Sequence, residues 1–141
     1  MKIYTIGFTK KTAKEFFQIL KDNQIEQLVD IRLNNTSQLA GFTKKRDLEY
    51  FLKEISDIDY YYFDYLAPTK ELRTMVDNWP LYTNEYLKLL EERDVLSPLN
   101  PEFFQKRTVL LCSEPLAKKC HRGILTDYLQ ENWEDVEVIH L

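Results

Sequence analysis

The residues able to do chemistry crowd into one stretch, LLCSEPLAKKCHRGILTDYL, residues 110–129. It holds both cysteines of the chain, Cys112 and Cys120, and one of its two histidines, His121, with Glu114 and Arg122 close by. The thiolate is the nucleophilic and metal-binding form of cysteine, and a helix N-terminus or nearby cations stabilise it. An adjacent imidazole can orient or deprotonate a thiol. Arg122 can hold an anionic group, or pair with Glu114 or Asp30. Glu114 can move a proton. Each residue also has a plain structural reading. Cys112 can be a small apolar strand end, and Cys120 a core-facing residue in a first helical turn. His121 can be a core histidine satisfied by a backbone carbonyl, and Arg122 a solvated helix residue.

The elements around this stretch decide whether these groups meet. Lys2 to Ile6 (KIYTI) reads as a first strand, broken by Gly7. Thr12 and Glu15 form a capping box for a helix with Phe16, Ile19 and Leu20 on one face. Ile25 to Ile31 is a second strand, followed by a polar loop, Asn34 to Gly41. Leu48, Phe51, Leu52 and Ile55 space a helix over Arg46 to Ile55. Ile58 to Phe63 is a third strand. The stretch from about 66 to 101 carries Pro68, Pro80, Pro98 and Pro101 and one helix, Asn84 to Glu92; it reads as an inserted helical excursion that covers the site. Thr108 to Cys112 (TVLLC) is a buried fourth strand, stopped by Pro115. Arg122 to Gln130 is the last long helix, and Val136 to Leu141 the last strand.

Alternating strands and helices predict a single three-layer α/β domain over residues 1–141, Rossmann-like or flavodoxin-like, with a mainly parallel sheet of about five strands. In such sheets ligands gather beyond the carboxyl ends of the strands. Those ends carry Gly7, Phe8 and Thr9; Asp30, Ile31 and Arg32; and Cys112, Ser113 and Glu114. Extending the apolar face of the last helix, Ile124, Leu125, Tyr128 and Leu129, back by one turn brings Cys120 and His121 towards the sheet. Lys118, Lys119 and Arg122 add positive charge there. Gly7 fits a turn or a close backbone approach to a ligand. Asp30 and Arg32 alternate with Val29 and Ile31, so they share a face, as a salt bridge or as part of the site.

The pattern C-x-E followed by C-H-R, here Cys112-Ser113-Glu114 and Cys120-His121-Arg122, resembles the DUF488 family of small uncharacterised prokaryotic proteins. YTIGFT (4–9), VDIR (29–32), Ser37 and the closing VIHL (138–141) agree with it over essentially the whole chain. Asn34 and Asn35 stand where the family often has proline. The resemblance implies an α/β fold and a shared site. It supplies no reaction. The candidate substrate-binding residues at the strand ends and beside them are Gly7, Asp30, Arg32, Ser37 and Arg122, with Arg32 and Arg122 as holders of an anionic group. The second histidine, His140, falls in the closing match.

Three functional classes remain. The first is a cysteine-dependent enzyme acting on an anionic, phosphate- or nucleotide-like substrate, with Cys120 or Cys112 as nucleophile, His121 as base or orienter and Glu114 in proton transfer. The second is a metal site built on Cys112, Cys120 and His121, against which stands the awkwardness of adjacent Cys and His ligands. The third is a nucleotide or nucleic-acid binding module using basic residues and the tyrosines of YYYFDY (60–65). The net charge of −4 argues against a broad nucleic-acid footprint but not against a small pocket. There is no Walker sequence and no G-x-G-x-x-G, and no cofactor is expected. No apolar run approaches a membrane span, and two cysteines suit a reducing, cytoplasmic setting rather than a disulfide framework. An internal Cys112–Cys120 bridge would need their Cα atoms within roughly 7 Å.

Overall fold

The structure, a computed structural model, describes residues 1–35, 41–114 and 116–141. Ser37 and Pro115, both singled out from the sequence, lie outside the described residues.

Five strands, β1 (Lys2–Gly7), β2 (Gln27–Asp30), β3 (Asp59–Tyr62), β4 (Thr108–Cys112) and β5 (Glu137–His140), form one sheet in the order β3-β2-β4-β1-β5. Every neighbouring pair is parallel, so the sheet is wholly rather than mainly parallel. β4 is inserted between β1 and β2, an order that differs from both the Rossmann and the flavodoxin arrangements. The insertion matters for the site, because it lays the strand that ends in Cys112 between the strands that end in Gly7 and Asp30. β2 and β4 are buried at every position, as expected of central strands covered on both faces. The edge strands β3 and β5 are partly exposed and carry Tyr, Glu and His.

The helices are α1 (Ala13–Asp22), α2 (Lys45–Ser56), α3 (Lys70–Arg73), α4 (Trp79–Glu92) and α5 (His121–Asn132). The chain steps from β1 to β2 to β3 through α1 and α2, then back across the sheet through α4 and α5. Right-handed crossovers in opposite directions put the two pairs on opposite faces. The two cores follow. Phe16, Phe17 and Leu20 of α1 and Leu48 and Leu52 of α2 pack on Tyr4, Ile6, Leu28, Val109 and Leu111. Tyr86 and Leu90 of α4 and Ile124, Leu125 and Leu129 of α5 pack on Ile3, Val29, Leu110 and Cys112. The twofold alternation of strand side chains therefore turns Cys112 towards α5.

Caps and tethers hold the covering layer. Thr12 and Glu15 form the capping box of α1. Asn78 caps α4, and Pro80 sits in its first turn, where a missing N–H costs no helical bond. The buried Tyr86 hydroxyl donates to the Leu66 carbonyl at 2.7 Å, and Arg93 donates to the Tyr65 and Ala67 carbonyls. These bonds tie α4 to the turn that follows β3. Among the described residues, no helix is long and apolar enough to cross a membrane.

Candidate functional site

Cys112 is the last residue of β4, and Cys120 is the cap residue immediately before α5. A turn of 3₁₀ helix at Ala117–Lys119 returns the chain from one to the other. The two sulfurs are in direct contact as a disulfide pair, with Cα atoms 7.5 Å apart, slightly beyond the span expected for such a bridge. Both residues are buried, at 0% and 4% exposure, yet only Cys120 reaches the wall of the adjoining cleft.

His121 completes the cluster. Its Nε2 lies 2.7 Å from the Ile31 carbonyl, and its Nδ1 lies 3.6 Å from Cys120 Sγ. A carbonyl can only accept, so Nε2 carries the proton and donates it. Burial pushes the His121 pKa down to about 4, the carbonyl bond and Asp30 opposing and the Arg122 charge assisting. The neutral ring therefore presents the bare Nδ1 lone pair to the Cys120 sulfur. Tyr86 packs edge-on against the ring, with centroids 5.5 Å apart, and holds its plane.

Arg122 runs the other way. It is fully buried, and its Nη1 donates to Cys112 Sγ at 2.9 Å and to the Glu114 carbonyl. Its Nε donates to Thr5 Oγ1 at 3.1 Å, and Thr5 Oγ1 meets His140 Nδ1 at 2.6 Å. Burial lowers the Arg122 pKa to about 10, against the pull of the Glu114 carboxylate, so the group is a cation at neutral pH. It lies behind Cys112, outside the lining of the cleft, and acts on the protein's own sulfur.

Gly7 is required by the same packing. A Cβ there would collide with the Glu114 carbonyl and lie 3.1 Å from Arg122 Nη1. The close approach is to the protein's own backbone. Asp30 and Arg32 form a buried, two-pronged ion pair, with Nε–Oδ1 and Nη2–Oδ2 both at 2.9 Å. Arg32 also donates to the Thr43 carbonyl, Tyr60 donates to Asp30, and the guanidinium lies over the Phe8 ring. Asp30→Asn leaves the Arg32 charge buried without its counterion. The expected loss is about 3–5 kcal/mol of unfolding free energy, read by urea denaturation.

The cleft, about 580 Å³, opens beyond the carboxyl ends of β1, β2 and β4. Cys120, His121, Arg32 and Glu114 line it, with Phe8, Trp79 and Tyr82 as aromatic walls. Lys10, Lys11, Arg73 and Lys119 bring positive charge, and Glu114 is the one carboxylate among its described lining residues. A chain that is acidic overall thus has a basic cleft. Trp79 and Tyr82 stack on each other at 4.6 Å, and with Val76 and Arg73 they roof the cleft from the excursion.

The family model described as "Domain of unknown function DUF488" matches residues 12–129. The chain belongs to the DUF488 family. No curated protein and no solved structure matches it at a significant level. In this DUF488 protein, Cys112, Cys120, His121, Arg122 and Gly7 meet at one end of the sheet, with the Asp30–Arg32 pair beside them. Lys10, Lys11, Arg73, Trp79 and Thr5 are further members that the sequence did not single out. The lysines follow directly on the end of β1, so the strand-end rule reaches them. Thr5 shares the α5 face of β1 by alternation with Ile3. Arg73 and Trp79 have no local signal, because only the packing of α3 on α4 and of α4 on α5 brings them in.

Proposed function

We propose that this DUF488 protein is a cysteine-dependent enzyme that acts on a small organic anion, phosphate- or nucleotide-like in charge, bound in the cleft. Cys120 is the nucleophile. The observation that carries the reading is the line from Ile31 carbonyl through His121 to Cys120 Sγ at the wall of the cleft. That line fixes one tautomer, so Nδ1 accepts a hydrogen bond from the Cys120 thiol and orients its sulfur at the cleft wall. The thiolate sits at the N-terminus of a helix of 12 residues, whose dipole favours the anion. Lys10, Lys11, Arg73 and Lys119 supply the field that draws an anion in. Glu114 stands at the rim for proton transfer, and Trp79 with Tyr82 offers an apolar wall for the organic part.

The charge claim is tested with two alkylating agents of similar size, anionic iodoacetate and neutral iodoacetamide, on the reduced protein. Cys120 should favour iodoacetate over iodoacetamide by about tenfold more than free cysteine does at low salt. The preference should shrink with added salt and in Arg73→Ala. Equal preference for the two agents as in free cysteine would contradict an anion-drawing cleft.

A metal reading has its own observation: ligand atoms of Cys112, Cys120 and His121 all lie within 4.8 Å of one another. The His121 bond to a backbone carbonyl also suits a metal ligand. Against it, the Arg122 guanidinium sits at 2.9 Å from the Cys112 sulfur, where it repels a bound cation. Stoichiometric metal in purified protein, lost together with protection of the cysteines on chelation, would favour this reading over the first.

A further inference from the structure

We infer that the reaction at this site is thiol–disulfide exchange, in which Cys120 attacks the S–S bond of an anionic organic disulfide and Cys112 resolves the adduct. The inference rests on Cys120 as nucleophile and names the bond on which it acts.

The division of labour follows from position. Cys120 reaches the cleft wall, and Cys112 does not. A substrate in the cleft therefore meets Cys120 first. Cys112 stands behind it, its sulfur in contact with that of Cys120. Hydrolysis of an acyl or phosphoryl group on Cys120 requires no second sulfur. A disulfide adduct uses one, because attack by Cys112 on Cys120 Sγ releases the bound half of the substrate. Each thiol also has its own electrostatic partner. His121 Nδ1 faces Cys120, and Arg122 Nη1 donates to Cys112. The guanidinium holds Cys112 as a thiolate for the resolving step and stabilises it again as leaving group when the bridge is reduced. Thr5, bonded to both Arg122 and His140, keeps the guanidinium on that sulfur.

The steps balance. Cys120 thiolate displaces one thiolate from the substrate disulfide, forming a mixed disulfide. Cys112 thiolate then attacks Cys120 Sγ, forming the Cys112–Cys120 bridge and expelling the second thiolate. The substrate gains two electrons and the cysteine pair loses two. A dithiol reductant returns the bridge to two thiols.

The probe is 5,5′-dithiobis(2-nitrobenzoate), an aromatic disulfide with two carboxylates, given in one equivalent to reduced, chelator-treated protein. Cystamine, a dicationic disulfide, is the charge control. Wild-type protein should release two chromophoric thiolates per molecule of reagent and end, by mass spectrometry, as the internal disulfide without adduct. Cys112→Ser and Cys112→Ala should release one and keep the nitrobenzoate adduct on Cys120. Relative to free cysteine, the anionic reagent should be favoured over cystamine by about tenfold or more. If wild-type protein holds its adduct on Cys120 as long as the Cys112 variants do, the resolving role is overturned and the nucleophile stands. First attack mapping to Cys112 overturns the assigned order. No adduct on Cys120 in folded Cys112 variants overturns the exchange and the Cys120 nucleophile together. A rapidly quenched time course on wild-type protein decides the same points if neither variant folds.

Discussion

Lowering the pH from 7 to 4 is expected to remove about 3 kcal/mol of stability through His121 alone. In the unfolded chain the imidazole titrates near 6.5, and in the fold burial holds it near 4. Between those values the unfolded state binds a proton that the folded state refuses. Stability therefore falls as the pH drops through that window and is restored above it. Each unit of separation is worth about 1.4 kcal/mol, which sets the size. The groups around the ring are Cys120, Arg122, Asp30 and the Tyr86 edge, with the Ile31 carbonyl on Nε2. Arg122 strengthens the depression, while Asp30 and the carbonyl oppose it. His121→Gln keeps a donor for the carbonyl and has nothing to titrate. Urea denaturation of both proteins at pH 7 and pH 4 isolates the effect, because other titrating groups, His140 among them, cancel in the comparison. The wild-type loss should exceed that of the variant by about 3 kcal/mol. Equal losses would mean that His121 protonates as easily folded as unfolded.

Gly7→Ala is expected to be among the most damaging single substitutions in the chain, at about 3 kcal/mol or more. The added methyl meets the Glu114 backbone carbonyl, which cannot swing away as a side chain would. It also crowds Arg122 Nη1, the atom that donates to Cys112. Part of the cost should thus appear at the site, as a Cys112 sulfur that loses its hydrogen bond from the guanidinium. Gly41→Ala is the matched control, since a Cβ there meets nothing within 4 Å. It should stay within about 0.5 kcal/mol of wild type. Thermal unfolding of the two variants gives the comparison, and similar melting temperatures would contradict the collision.

Local signals in the sequence carried much of the fold. The TVLLC run is β4 end to end, because a strand buried on both faces reads as an unbroken apolar run. The Thr12–Glu15 box starts α1 where the pattern places it. α4 starts earlier than the sequence pattern indicates: Trp79 opens it, five residues before Asn84, because Pro80 reads as a break although the first turn tolerates it. Strand order was not legible. Nothing local in TVLLC says that it lies between β1 and β2; that follows from which faces the helices cover. The site divides in the same way. Cys112, Cys120 and His121 announce themselves by type and spacing. The inward turn of Arg122 onto Cys112 does not, since an arginine in a first helical turn reads equally well as a solvated residue or an anion holder. Of the basic cleft, Lys119 is legible beside Cys120, whereas Lys10, Lys11 and Arg73 join it only when the end of β1 and the excursion fold against the α5 approach.

The measurement closest to the central claim is the pH dependence of alkylation at each cysteine, read by mass spectrometry on reduced, chelator-treated wild-type protein and His121→Gln. Cys120 should react with a midpoint at least about one unit below the ordinary thiol value near 8.5. It should react faster than Cys112, which is shielded from the cleft. His121→Gln removes the acceptor that orients the thiol and should slow Cys120. A Cys120 that stays inert, or that titrates as an ordinary thiol unaffected by His121→Gln, would contradict a nucleophile at this site.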